Sequence, residues 1–413
     1  TSKQTAPPDW SALDTTAFMQ IVETLAAPEM EGRDAGTKGI DLARDYLVEQ
    51  FKATGLVPAF MIDGKPSYIQ PFTLRIGKDE NDEVIEATVY NVGGLLPGVG
   101  NLKDEVLVIG GHYDHVGYGH IGSRAKDQKG ELHPGADDNA SGTAGVVLLA
   151  EYFVDRAVEE VEREGFHPTT PRRTILFTCF AAEERGLIGS RYMTRNPDQW
   201  AFDAKQINGM INMDMIGRLR NNELYIFTDD TGKQWRDWVK RANQNVRLDL
   251  KWDVRPPGGS DHSLFIAAGI PAVFFNTWLH EDYHAPGDTA DKVNAAGSIA
   301  VLQIVAGLAE HAATTADRIT FVAPKPSPKP YLGGKLADIE VGVLIEDVLA
   351  DGPIDKAGVK NGDVLLSIVG QAVNSPGQVR GALAKLKAGT NVKLEIKRGD
   401  ETLELTVLLG IRW

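Results

Sequence analysis

Residues 105–115 read Glu-Val-Leu-Val-Ile-Gly-Gly-His-Tyr-Asp-His, and the change of character within this run decides the fold class. Its first half is apolar at consecutive positions. A strand sitting half in water alternates apolar and polar residues; a strand that does not alternate is covered on both faces, as in a parallel sheet flanked by helices. Its second half turns to two glycines and then to titratable residues. Ligand sites in open α/β sheets gather at the carboxyl ends of such strands.

Outward from this run, strand patterns at 68–75, 84–94, 174–180, 209–215, 223–228 and 272–276 are interleaved with helical patterns at 140–156, 187–193, 233–244, 263–268 and 296–314. On the N-terminal side a helix begins near Asp14, and a second covers 39–54, where Ile40, Ala43, Tyr46, Leu47 and Phe51 recur at helical spacing. Buried strands alternating with helices predict an α/β fold: a three-layer α/β/α sandwich around a mostly parallel mixed sheet. Residues 322–330 read Val-Ala-Pro-Lys-Pro-Ser-Pro-Lys-Pro, a semi-rigid linker that continues neither helix nor central strand. The expected organisation is therefore a first domain over 1–321, a linker over 322–330, and a small β-rich domain over 331–413.

The balance of 42% hydrophobic and 24% charged residues over 413 positions is that of a globular chain. A net charge of -14 without a Lys/Arg stripe argues against a nucleic-acid partner. No apolar run is expected to reach the roughly 18 residues of a membrane span. The single cysteine, Cys179, lies in an apolar run and reads as a small buried hydrophobe rather than a catalytic thiol. The first residues, Thr-Ser-Lys-Gln-Thr-Ala-Pro-Pro, have neither an initiator Met nor the layout of a signal peptide. The expectation is a secreted or periplasmic protein whose leader is absent from this chain.

Five short segments carry unusual titratable residues. His112 closes the strand at 105–111, and Asp114, two residues on, is placed to bend back and hold the other imidazole nitrogen. Asp137-Asp138-Asn139 precedes an apolar helix; a helix cap explains one such residue, and here there are more than a cap needs. Glu183-Glu184 ends an apolar strand, where two carboxylates repel each other unless a cation or a shared proton lies between them. An acidic surface pair before a turn is the plainer account. Asp214 stands alone in an apolar strand, and burying it unpaired costs several kcal/mol, roughly. His284, with Asp288 nearby, completes the set. Each signal is weak alone. Together, two imidazoles and three carboxylates suit two divalent cations sharing one carboxylate, with zinc favoured and cobalt or manganese conceivable.

These residues resemble peptidase family M28, the metallo-aminopeptidases, over roughly residues 15–315. The carriers are His112-Tyr113-Asp114, Gly135 to Gly142, Glu183-Glu184-Arg185-Gly186-Leu187, Asn212-Met213-Asp214-Met215, Ser260-Asp261-His262 and Tyr283-His284, with Met30-Glu31-Gly32-Arg33 before them. The resemblance implies a peptide substrate, two zinc ions per chain, and roles residue by residue. Asp137 would bridge the metals, with His112 and Asp214 completing one site and Glu184 and His284 the other. Glu183 would be the general base and Tyr283 an oxyanion donor. Asp114, Asp138 and Asp288 would stand behind the ligands, and the Asp137–Asp138 peptide bond would be cis. His115, His120, His133, His167, His280 and His311 are expected to be solvated or locally hydrogen-bonded.

The C-terminal part resembles PDZ domains of bacterial proteases over about residues 331–411. Its carriers are Tyr331-Leu332-Gly333-Gly334, Gly342 to Ile345 and Asp355 to Leu365. Such domains take a peptide C-terminus as an added strand, so Tyr331, Leu332, Gly333 and Gly334 become candidate peptide-binding residues. Gly334 stands where an aliphatic residue is usual and Val369 where Asn is usual, which keeps a spacer role open. Rival functions on the same first domain are a carboxypeptidase or dipeptidase, with Arg218 as the candidate partner of a substrate carboxylate, a glutaminyl cyclase, and a non-catalytic scaffold.

Overall fold

The structure is a computed structural model that describes residues 13–78, 83–164, 170–252, 259–324, 329–339 and 341–412. The polar N-terminus, the middle of the proposed linker, His167 and Trp413 lie outside the described residues. The chain divides into two compact units, Thr1–Ala323 and Pro324–Trp413.

The first unit opens with α1 (Thr15–Leu25), whose first turn is capped by the Asp14 carboxylate accepting the Ala17 N–H at 2.9 Å. Next come α2 (Lys38–Ala53), β1 (Val57–Pro58), β2 (Phe60–Ile62), β3 (Lys65–Ser67), β4 (Ile69–Lys78), β5 (Val84–Leu96) and β6 (Val106–His112). Then follow α3 (Gly142–Glu164), β7 (Thr174–Phe180), α4 (Ile188–Arg195), β8 (Ile207–Met213), β9 (Glu223–Phe227) and α5 (Trp235–Ala242). β10 (Asp249–Lys251), α6 (His262–Ala267), β11 (Ala272–Asn276) and α7 (Ala295–Thr314) complete the unit. The nine-stranded sheet runs β1-β5-β7-β6-β8-β11-β9-β10, with β4 added on β5. Its centre, β7-β6-β8-β11, is parallel, whereas β5 joins β7 and β9 joins β11 antiparallel. The sheet is thus mixed around a parallel centre.

The unbroken apolar runs follow from burial on both faces. Leu107 and Ile109 of β6 join the core built with α1, α3 and α7, while Val106 and Val108 join a second core with Met193 of α4 and Phe265 of α6. Cys179 belongs to the first of these cores. Burial pushes its thiol above the usual range, which keeps it protonated and inert.

One expectation about membranes needs correction. Among the described residues α7 is, by length and composition, long and apolar enough to cross a membrane, with mean hydropathy 1.3. It is a core helix here, with 61% of that window buried inside the protein.

The second unit contains β12 (Lys329–Tyr331), β13 (Gly334–Asp338), β14 (Val343–Val348), α8 (Pro353–Lys356), β15 (Val364–Ile368) and β16 (Gln371–Ala372). It closes with α9 (Pro376–Ala384), β17 (Asn391–Arg398), β18 (Glu401–Leu408) and β19 (Gly410–Arg412). Its six-stranded sheet has the path β13-β14-β15-β17-β18, with β16 on β15, around its own core of Val343, Ile345, Leu365, Val379, Leu394 and Ile396 among others.

Candidate metal centre

The functional candidates lie at one end of the parallel centre. β6 ends in His112, β7 is followed by Glu183 and Glu184, β8 by Asp214, and the segment after β11 carries His284. The irregular turn Ala136–Ser141, which leads into α3, brings Asp138 to the same place. That turn is tied down from several sides. The Asp288 carboxylate accepts the backbone N–H groups of Asp137 and Asp138 at 3.0–3.1 Å. The Asn139 amide donates to the carbonyls of His112 and Met213, and its oxygen accepts the N–H groups of Gly142 and Met215. Arg33, fully buried, donates to the carbonyls of Leu25, Tyr113, Pro134 and Gly135, holding the strand exit and the turn together.

Two donor clusters result, and Asp138 belongs to both. In the first, His112 Nε2 lies 3.4 Å from Asp138 Oδ1 and 3.4 Å from Asp214 Oδ1. In the second, His284 Nε2 lies 3.1 Å from Asp138 Oδ2 and 3.0 Å from Glu184 Oε1, with His115 beside them. These spacings fit divalent ions. Four donors at 2.0–2.1 Å around a tetrahedral zinc lie about 3.4 Å from one another. Asp138 Oδ2 and His284 Nε2 are moreover buried with no partner in hydrogen-bond geometry, so they converge without bonding to each other. The imidazole orientations are set from behind: His112 Nδ1 faces the main-chain oxygen of Asp114 at 3.1 Å, and His284 Nδ1 that of Gly122 at 2.8 Å.

Several expectations are corrected by this geometry. Asp137 does not reach either cluster: its Oδ1 accepts the Gly217 N–H at 2.6 Å and the Ser141 hydroxyl at 3.0 Å, and its Oδ2 faces His280 Nε2 at 3.2 Å. Asp138, one residue on, is instead the carboxylate shared by both clusters rather than a group behind them. The cis peptide bond is likewise Asp138–Asn139 rather than Asp137–Asp138. Asp114 turns its carboxylate mainly to the N–H groups of Glu183 and Glu184, at 3.0 and 3.2 Å, and lies 3.6 Å from His112 Nδ1. His115 and His280 are not solvated; their side chains are 0% and 1% exposed and face Glu184 and Asp137. His120 is exposed, and His133 bonds locally to the Glu131 carbonyl and the Ser123 hydroxyl.

Crowded carboxylates dominate the electrostatics. Burial opposes protonation of His112, but Asp214, Glu183, Asp114 and Asp138 outweigh it and push the imidazole well above its ordinary value. His284 is likewise disfavoured by burial, yet Asp138 and Glu184 push it up to about 11. Burial raises the Glu183 carboxyl well above its usual range; His112 opposes this, and Glu184, Asp261 and Asp214 add to it. So many carboxylates crowded into one buried place call for cations.

A pocket of about 120 Å³ opens on the clusters. Glu183 lines it with Met215, Phe274, Leu279, Tyr283 and Arg124. Tyr283 packs on the His284 ring at 4.0 Å between centroids, and the Arg124 guanidinium lies 4.4 Å from the centre of the Tyr283 ring. Burial, and then the carboxylates around it, raise the Tyr283 phenol, which therefore stays protonated and able to donate. Arg218 is occupied elsewhere, bonded to Asp282 at 2.8 Å.

The model of peptidase family M28 matches residues 91–309. The chain belongs to peptidase family M28. A PDZ domain model matches residues 330–409, and this M28 chain thus carries a separate β-rich PDZ domain. Leupeptin-inactivating enzyme 1 of Streptomyces exfoliatus is 29% identical over 265 residues, covering 64% of this chain and 49% of that protein. A probable leucine aminopeptidase of Arthroderma otae is 26% identical over 217 residues, covering 50% of this chain and 52% of that one. The M28 chain therefore spans about half the length of these curated relatives. A solved zinc aminopeptidase from Bacillus subtilis shares the fold with a TM-score of 0.54 at 16% identity, over 75% of this chain and 97% of that one.

In the second unit, Tyr331, Leu332, Gly333 and Gly334 line a groove of about 640 Å³ between β13 and α9, whose apolar wall includes Val379 and Leu383. Gly333 has φ +85°, a backbone state open chiefly to glycine.

Proposed function

We propose that this M28 chain is a di-zinc aminopeptidase. The observation that carries the reading is Asp138, which offers one carboxylate oxygen to each of two donor clusters beside Glu183. His112, Asp138 and Asp214 would hold one ion, and Asp138, Glu184 and His284 the other. The donor set of imidazoles and carboxylates favours zinc, with cobalt or manganese as substitutes. When bound, two such ions supply Lewis acidity for a carbonyl and make a shared water acidic near neutral pH.

The protein's own groups supply the rest. Glu183, its backbone N–H fixed by Asp114, takes the proton of the attacking water and passes it to the departing amine nitrogen. The Tyr283 hydroxyl donates to the carbonyl oxygen as negative charge grows there. The pocket is well below the ~300–1,000 Å³ of a typical ligand cleft, which suits one terminal residue. Met215, Phe274 and Leu279 favour an apolar side chain in it. The names of the Arthroderma and Bacillus proteins support the same end of the peptide. The PDZ groove between β13 and α9 would accept a peptide C-terminus as an added strand.

A carboxypeptidase or dipeptidase is the second reading, and Arg124 favours it, because its guanidinium lines the pocket and could meet a substrate carboxylate. Aminoacyl anilides, which lack that carboxylate, separate the two. Their hydrolysis supports the aminopeptidase, whereas turnover confined to N-blocked peptides overturns it. Glu183→Gln should lose at least about 100-fold in kcat with two metal equivalents retained. A cyclase or scaffold reading gains nothing from a complete second cluster.

A further inference from the structure

His115 stands three residues beyond His112, and its ring is buried against the Asp138/Glu184/His284 cluster. Its Nδ1 lies 3.2 Å from Glu184 Oε1 and 3.8 Å from Asp138 Oδ2. Its ring meets that of His284 edge-on, with centroids 5.5 Å apart and planes at 86°. Two imidazoles with perpendicular ring planes thus share the same two carboxylate oxygens. The four imidazole–carboxylate spacings among these donor atoms, 3.0, 3.1, 3.2 and 3.8 Å, bracket the edge of about 3.4 Å of a zinc tetrahedron.

The ring's place is built. Gly135, at φ +61°, lies against it, and a Cβ there would fall 2.5 Å from His115 Cγ and Cδ2. The His115 N–H donates to the carbonyl of Arg33 at 3.2 Å, which anchors the main chain. Its Nε2 is buried without a partner, so no outer hydrogen bond accounts for the ring's orientation. The first half-site has no fourth protein donor among the described residues: only His112, Asp138 and Asp214 converge there.

We propose that His115 is a fourth protein ligand of the Glu184/His284 half-site, making the two metal positions unequal. Three protein donors leave a fourth, tetrahedral position for the shared water, whereas a fourth protein donor makes the ion five-coordinate when that water is bound. The half-site with His115 would hold its ion tightly, and the His112/Asp214 half-site would be open and exchangeable. This rests on reading the clusters as metal sites. The other account of the same contact, a hydrogen bond from His115 that merely positions Glu184, predicts a different response to substitution.

The test strips the full chain with a chelator and titrates zinc against a competing indicator, with cobalt absorption as a second readout. The wild type should bind two equivalents in separate steps at least tenfold apart. His115→Ala should weaken the tight step at least tenfold, leave the weak step in place, and change the cobalt spectrum of the first equivalent. His115→Gln keeps an amide donor for Glu184, so a positioning role would be rescued and a ligand role would not. Two wild-type steps of equal affinity, or full rescue by His115→Gln, overturn the proposal while leaving the di-metal reading intact. Binding of fewer than two equivalents by the wild type overturns the di-metal reading itself.

Discussion

The Asp288 carboxylate accepts the backbone N–H of Asp138 at 3.0 Å, joining positions 150 residues apart. It also accepts the N–H of Asp137 with both oxygens at 3.1 Å. One buried side chain therefore fixes the peptide that aims the shared ligand. Asp288→Ala would strand two buried donors, each costing about 1–3 kcal/mol. Urea unfolding should show the loss, and zinc affinity should fall roughly 10- to 100-fold, as when an orienting group behind a ligand is removed. Asp288→Asn, which keeps one acceptor oxygen, should fall between the alanine variant and the wild type.

Adjacent aspartates give a sharper contrast. Asp138→Asn removes charge from both clusters at once, so metal bound after dialysis should drop below two equivalents per chain. Asp137→Asn should retain both. Its cost appears in stability instead, because Asp137 Oδ1 receives the Gly217 N–H and the Ser141 hydroxyl; about 1–2 kcal/mol is expected. Elemental analysis of the two variants, prepared identically, checks the first claim, and urea midpoints check the second.

What could be seen in the sequence follows from what burial does to a sequence. β6, β7 and β8 lie under helices on both faces, so they are marked by unbroken apolar runs. β10 and β3 are short and half-exposed, and no run marks them. His112, Glu184, Asp214 and His284 were legible because each follows a buried strand or stands isolated near one, and the structure brings them together. Which of Asp137 and Asp138 faces the clusters was not legible. That choice depends on a backbone turn, φ -108° and ψ 94° at Asp138, and on Asp288 far along the chain. His115 carries no mark of its own in the sequence, because a histidine three residues after another has many uses; its one hint is its place at the same strand exit.

In the PDZ domain, Asp363 is 2% exposed and takes a two-pronged bond from Arg398, Nε to Oδ1 at 2.8 Å and Nη2 to Oδ2 at 2.7 Å. It also accepts the Lys360 N–H at 2.8 Å. Arg398 ends β17 and holds the Gly358 carbonyl as well, so the pair links that strand to the turn after α8. Asp363→Asn should cost the domain about 1–3 kcal/mol. In the full chain, amide hydrogen exchange should quicken in β15 and β17 and stay unchanged in β6 and β8. Arg398→Lys, which loses the fork but not the charge, should show a smaller effect.

His262 supplies a prediction about pH. It is 2% exposed, stacks on Phe274 at 4.5 Å and 22°, and has a buried Nδ1 with no partner. Burial alone lowers its pKa from 6.5 to about 3. Between those values the unfolded chain takes up a proton that the folded chain refuses. Stability must therefore fall as pH drops below about 6.5, by up to about 1.4 kcal/mol per pH unit, and stop falling from this source below about 3. His262→Phe keeps a ring against Phe274 and removes the proton. The difference in unfolding free energy between variant and wild type should widen in the variant's favour from pH 6.5 to pH 4, while above pH 7.5 it should be independent of pH. Parallel curves across the whole range would mean that His262 is protonated in the folded protein.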